Sequence, residues 1–214
     1  MAISLINNLS MNRSDTAVAD QVWTATSATL SDFQGVSGVW NLLLTDTVSA
    51  EATVEFDSTY ITSTYKVYKI IISELVPAGA GPGTELLCQF KQGGSYITSG
   101  YAFSSFRHVQ DSASAFNGAA SDGAASAYQL TGDNLGGDTG ENSSWELTLD
   151  NPAGTANDKI MWGGGGNINH DANYSRESTI GGTGNVAAIT AIKFLMESDA
   201  NFTSGRFSLY GITT

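Results

Sequence analysis

The chain predicts an all-β fold, an antiparallel β-sandwich of jelly-roll-like type, and three observations carry that reading. Apolar residues recur with period two in several segments. Short Gly-, Asn- and Pro-containing breaks separate those segments. Charged residues make up only 14% of the 214 residues, against roughly 25% in ordinary soluble domains. A surface so poor in charge must be built from Ser, Thr, Asn, Gln, Ala and Gly. Hydrophobic residues at 41% exclude wholesale disorder.

Residues 1–38 are set apart as an N-terminal arm or anchoring segment, and 39–214 as a single β-sandwich domain, a size that all-β domains reach undivided. Met1–Ser14 reads as an edge strand or docking arm. Asp15–Leu30 reads as a short helical turn that Thr24, Thr26 and Thr29 weaken. Beyond residue 39 the period is that of strands. Ala50, Ala52, Val54 and Phe56 face one way, and Glu51, Thr53 and Glu55 the other, as on a half-buried strand. Residues 66–73 (KVYKIIIS) are β-branched and aromatic, the signature of a central strand, ended by Pro77 and the turn AGAGPG. The segment ELLCQFK (85–91) is expected to pair with it as the next antiparallel strand.

Residues 101–109 (YAFSSFRHV) predict a further strand. The low-complexity stretch 112–128 is read as a long surface loop with one short strand near Tyr128, and 131–142 as a turn or loop. In SWELTLDNP (144–152), Trp145, Leu147 and Leu149 point inward and Glu146 and Thr148 outward, with Asn151-Pro152 stopping the strand. DKIMW (158–162) is a short strand that GGGG (163–166) is expected to end. Another strand is read around Asn173–Thr179. The apolar run 186–196 and the strand GRFSLYGI (205–212) are expected to form a C-terminal hairpin that closes the domain. The count is eight to ten strands.

Both alternating sets of 186–196 are largely apolar, so a second face needs cover from a loop or a neighbouring subunit. Ala187, Ile189, Ala191 and Leu195 are the candidate subunit-interface residues.

The charge balance excludes some functions. Nine Lys and Arg against twenty-one Asp and Glu give a net charge of −12; such a chain repels phosphate backbones, which argues against nucleic-acid binding. No apolar run is long enough for a membrane-spanning helix, and no membrane insertion is expected. The start MAISLINNLSMNRSD has no basic region and reads as no secretory signal. Cys88 is the only cysteine; on the face Leu86, Cys88, Phe90 it reads as a buried, inert thiol.

No catalytic constellation stands out, and the chain is read as a non-enzyme. His108 and His170 have no zinc-ligand spacing. Asp133, Asp138 and Glu141, and likewise Asp150, Asp158 and Asp171, do not match a calcium loop and read as solvated turns. No G-x-S-x-G elbow occurs, and the glycine runs lack the Lys-Ser/Thr of a phosphate loop. No metal or cofactor is expected. Binding has one candidate cluster: Trp162, Asn167, Asn169, His170 and Tyr174, where aromatic faces beside short polar side chains suit stacking on a glycan.

Four phrases carry a family resemblance: STYKVYKIIISELVPAG, ELLCQFKQGGSYITSGY, SSWELTLDNPAG and AITAIKFLMESDANFTSGRFSLYGI, the last ending in Ser204, Gly205, Leu209, Tyr210, Gly211 and Ile212. In their order and spacing over residues 50–212 they resemble a structural domain of tailed-bacteriophage virion proteins, of the tail or head fibre, tail-tip or capsid-decoration type. That resemblance implies a jelly-roll-like homotrimer, partners among other phage capsid or tail proteins, contact with the host surface, no catalytic residues, and location in the virion after synthesis in the host cytoplasm; a host surface glycan is the partner that the Trp162 cluster adds. With no repetitive shaft, the chain is closer to a compact knob or head-decoration protein than to a whole fibre. A carbohydrate-binding module or receptor-binding tip is the alternative.

Overall fold

The computed structural model describes residues 21–25, 31–35, 39–79, 84–110 and 116–212. Among them are fifteen strands and no helix. β1 (Gln21–Ala25) and β2 (Ser31–Gly35) pair antiparallel with each other and with no other described strand. The helical turn expected within 15–30 is thus replaced over Gln21–Ala25 by a strand, in keeping with Val22, Trp23 and Thr24, residue types that favour extended backbone. The docking arm expected over 1–14 lies outside the described residues.

The sandwich itself comprises β3 (Trp40–Val48), β4 (Thr53–Phe56), β5 (Val67–Pro77), β6 (Leu86–Gln92), β7 (Ser95–Tyr96), β8 (Tyr101–Val109), β9 (Phe116–Ala125), β10 (Tyr128–Gln129), β11 (Ser143–Asp150), β12 (Ile160–Ile168), β13 (Tyr174–Gly182), β14 (Ile189–Met196) and β15 (Phe202–Ile212). Eight strands form a large sheet in the order β3-β15-β5-β11-β12-β13-β8-β9; a smaller sheet runs β10-β6-β14-β4, with β7 beside β6. All pairings are antiparallel, and the two sheets pack face to face as the sequence predicts.

The core follows from the alternation. Tyr68, Ile70 and Ile72 of β5 and Trp145, Leu147 and Leu149 of β11 are buried, and Leu86, Cys88 and Phe90 of β6 meet them from the small sheet. Burial raises the pKa of the Cys88 thiol, which leaves it inert as expected. Phe194 of β14 lies against Phe207 of β15 across the sandwich, ring centroids 5.5 Å apart. Buried tyrosines stitch the sheets together: the Tyr101 hydroxyl accepts a bond from Phe90 N at 2.7 Å, and the Tyr128 hydroxyl lies 2.7 Å from Thr179 Oγ1. Each lets a large ring be buried without stranding its polar tip.

Several expectations are corrected. The last two strands form no hairpin: β14 pairs with β4 and β6, whereas β15 pairs with β3 and β5. Likewise β6 does not pair with β5; the two belong to opposite sheets. In both cases each strand has one strongly apolar face, and placing the strands in facing sheets lets those faces meet. The loop expected over 112–128 contains β9, an edge strand that pairs with β8; its Ala, Gly and Ser residues give no alternation to read, and backbone pairing decides the conformation. Ala50 and Ala52 are exposed and precede β4, with Ala50 at a φ of 65°; only Val54 and Phe56 of that set are buried.

The glycines 163–166 do not end β12 but form its middle, paired on both sides with β11 and β13. A Cβ on Gly163 or Gly164 would collide with the carbonyl oxygen of Glu146 or Glu177. Glycine is required by this close approach of three backbones, not by a turn. The ending L-Y-G-I has a similar logic: Leu209 is core, Tyr210 turns outward, and Gly211 leaves the space that the Tyr65 ring fills.

The proposed subunit-interface set is also divided. Ile189 and Ala191 are each 1% exposed within the chain's own fold: they share one face, and the irregularity at the start of β14 switches the inward parity so that Ile192, Phe194 and Met196 are buried as well. Ala187 and Leu195 are half-buried. The outer face of β14 finds cover within the chain. Lys193 and Lys91 lie over the Tyr96 ring, at 4.4 and 5.5 Å from its centroid. Burial first, and then the neighbouring Glu55 carboxylate, raise the Tyr96 hydroxyl pKa.

One carboxyl pair at the rim of the sandwich predicts a pH dependence. Glu85, just before β6, neighbours Glu197, just after β14, whose N–H donates to the Glu85 carbonyl at 3.1 Å. Burial first, then the hydrogen bond and charge of Glu197, push the Glu85 carboxyl from 4.5 up to about 7. The folded chain therefore holds this proton more tightly than the unfolded chain. The contribution of Glu85 is fully present below the unfolded value of 4.5 and is lost as pH rises toward 7. Chemical denaturation between pH 4.5 and 8 should show stability falling across this window, and Glu85→Gln should flatten that slope; an unchanged slope in the variant would assign the dependence elsewhere.

Candidate functional site

The side of the large sheet that faces away from the core gathers the exposed large apolar side chains. Trp40, Leu42, Ile160, Trp162 and Ile180 are all exposed. Strand register sets this row: Leu42 opposes Tyr210, Tyr210 opposes Lys69, Lys69 opposes Thr148, Thr148 opposes Trp162, and Trp162 opposes Ile180. Over β11–β13 the next row along the strands is polar and small, Glu146, Gly164 and Ser178, flanked by Ile71 of β5 and Phe106 of β8.

Between these rows lies a shallow cleft of about 490 Å³, lined by Lys69, Glu146, Thr148, Trp162, Arg176 and Ser178 over the glycine backbone of β12. Its size falls within the range of small-molecule sites. Trp162 is 50% exposed. Lys69 Nζ lies 5.4 Å from the Trp40 ring centroid and 5.7 Å from that of Trp162, and pairs with the Glu146 carboxylate. The Trp40 ring in turn lies 5.7 Å from the Tyr210 ring. The ammonium is thus held between two indoles by three contacts, so its position is set before any ligand arrives. Thr148 is only 6% exposed, and its hydroxyl finds no protein partner among the described residues. Arg176 is exposed and makes no ion pair among them. The cleft offers one aromatic plane, charges of both signs and two hydroxyls.

Of the cluster expected from sequence, only Trp162 reaches this cleft. Tyr174 is 65% exposed on the same face, two residues along β13 from Arg176 and outside the lining, about 20 Å from the level of Trp162. Asn167 points inward, buried, and donates to Glu177 Oε1 at 3.0 Å. Asn169 is also buried and shapes the β12–β13 turn by accepting from Asp171 N and Asn173 N at 3.2 and 2.8 Å. His170 sits in that turn, 3.5 Å from the Asp171 carboxylate. These residues do not form one site.

Sequence reasoning missed Lys69, Arg176, Ser178 and Trp40. Glu146 and Thr148 were legible as outward-facing, yet nothing in the sequence places β5 beside β11. Among the described residues no group of three His, Cys, Asp or Glu side chains gathers to hold a metal ion. Asp133 instead pairs with Arg107, and Glu141 accepts from Asp138 N at 2.8 Å.

No known family model matches the chain, and no curated protein matches it in sequence.

Proposed function

We propose that this chain is a non-catalytic structural protein of a tailed-phage particle. In this reading it assembles as a homotrimer against other capsid or tail proteins, and it resides in the virion after synthesis in the host cytoplasm. The ordered phrases over 50–212 support the reading, and so does the sandwich fold that the resemblance implies. The observation that carries it is the outward face of the large sheet, where Trp40 and Leu42 stand exposed on β3 and Ile160 and Ile180 on β12 and β13, on either side of the cleft. An apolar face of this kind marks a contact surface. Light scattering of the purified chain should give a trimer mass, and antibody labelling of assembled particles should decorate them. A chain that stays monomeric at high concentration and labels no particle would overturn the proposal.

A further inference from the structure

We infer that the cleft on the outer face of the large sheet is a glycan-binding site. In it a pyranose ring lies against the Trp162 indole, and its hydroxyls meet the Lys69–Glu146 pair, Thr148 and Ser178, with Arg176 at the far end. The inference goes beyond the virion reading and does not depend on it.

The chemistry of the lining selects this ligand class. A pyranose has an apolar face of C–H groups and a rim of hydroxyls that both donate and accept. The half-exposed indole of Trp162 supplies the flat apolar plane. The rim groups include an ammonium, a carboxylate, a guanidinium and two hydroxyls, so both halves of a sugar hydroxyl find a partner. A simple anion would meet the Glu146 carboxylate at the same wall. An apolar peptide segment would bury the Lys69–Glu146 pair, and desolvating an ion pair is costly.

The floor has the matching shape. Gly164 sits between Glu146 and Ser178 in the register, and Gly166 sits between Ser144 and Arg176. Neither glycine projects a side chain, so the backbone of β12 forms a flat bed with Trp162 standing at one end. The buried Thr148 hydroxyl, without a protein partner, lines this bed. A buried polar group is costly to leave unpaired, and a ligand hydroxyl that satisfies it gains that cost back. Lys69, held by Glu146 and two indole faces, loses little freedom on binding, which favours a preorganised site. The cleft is shallow, so a single site is expected to bind weakly, with Kd about 1 mM. Several copies on one assembly would raise the avidity.

The test uses the full chain, labelled with nitrogen-15. Its tryptophan indole N–H signals are followed while the methyl glycosides of glucose, galactose, mannose, N-acetylglucosamine and glucuronic acid are added separately. At least one sugar should shift the Trp162 indole signal saturably and leave that of buried Trp145 in place. Trp162→Ala and Glu146→Ala, both exposed positions, should weaken binding at least tenfold, read from the Ile180 amide, whereas Val186→Ala, exposed outside the large sheet, should leave it unchanged. Absence of a saturable Trp162 shift with all five sugars would overturn the inference, as would binding that survives both substitutions. Sugar binding by a chain found on no particle would remove the virion reading alone. A particle-bound chain that shifts with no sugar would remove the glycan inference alone.

Discussion

Replacing Phe194 with alanine should lower the unfolding free energy by roughly 3–5 kcal/mol, the range for truncating a fully buried aromatic. Phe194 is 0% exposed and stands where the two sheets meet. Its ring contacts Phe56 edge-on at 6.2 Å within the small sheet and Phe207 at 5.5 Å across the sandwich; Phe207 in turn packs on Phe202 at 5.4 Å. Removing the ring deletes the apolar surface it buries and leaves a cavity that neighbours on three strands cannot close without shifting backbone. Against a total stability of about 5–15 kcal/mol, this one change takes a large share. Urea denaturation of the variant beside Trp162→Ala gives the contrast. The exposed tryptophan should cost well under the buried phenylalanine, and that also keeps the glycan test clean. A loss below about 1 kcal/mol for Phe194→Ala would mean that the sheets are not held through this aromatic cluster.

Phe194 also shows how far the sequence could be read. Both alternating sets of 186–196 are apolar, so period two marks a strand there without choosing the face of Phe194, whereas the polar residues between Trp145, Leu147 and Leu149 place those three correctly. Alternation reports which side of a strand is buried, because successive side chains point to opposite faces. It does not report which strand lies alongside. Two apolar strands joined by a short link can pair in one sheet or face each other across a core, and both choices satisfy the pattern. Hence β14 and β15, like β5 and β6, are legible as strands and not as members of opposite sheets. The glycines of β12 mislead for a related reason. Their usual meaning is a turn, and the close approach that requires them here is set by β11 and β13, which are distant in sequence. The candidate site inherits this limit. Trp162 is visible as an aromatic beside small residues, but Lys69 and Arg176 join it only through the order β5-β11-β12-β13.

Replacing Arg107 with methionine should cost about 3–5 kcal/mol, the range for removing one partner of a buried ion pair. Arg107 of β8 is 5% exposed and Glu177 of β13 is 2% exposed, and the two are direct cross-strand partners on the inward face. The guanidinium pairs with Asp133 of the loop between β10 and β11. Glu177 accepts from Gly132 N at 2.9 Å and from Asn167 Nδ2 at 3.0 Å. One cation thus stands among two carboxylates where that loop, rather than the small sheet, covers the large sheet. Burial raises the Glu177 pKa, while the Gly132 and Asn167 hydrogen bonds and then the Arg107 charge oppose the rise. Without Arg107 the carboxyl should be driven further up, so the variant should lose more stability at high pH than at low pH. The double variant Arg107→Met/Glu177→Gln removes the stranded charge as well as its partner, and should recover a substantial part of the loss. Denaturation of both variants at pH 5 and pH 8 decides the matter. A pH-independent loss in Arg107→Met, unrelieved in the double variant, would show that the arginine serves by packing its stem and not by neutralising Glu177.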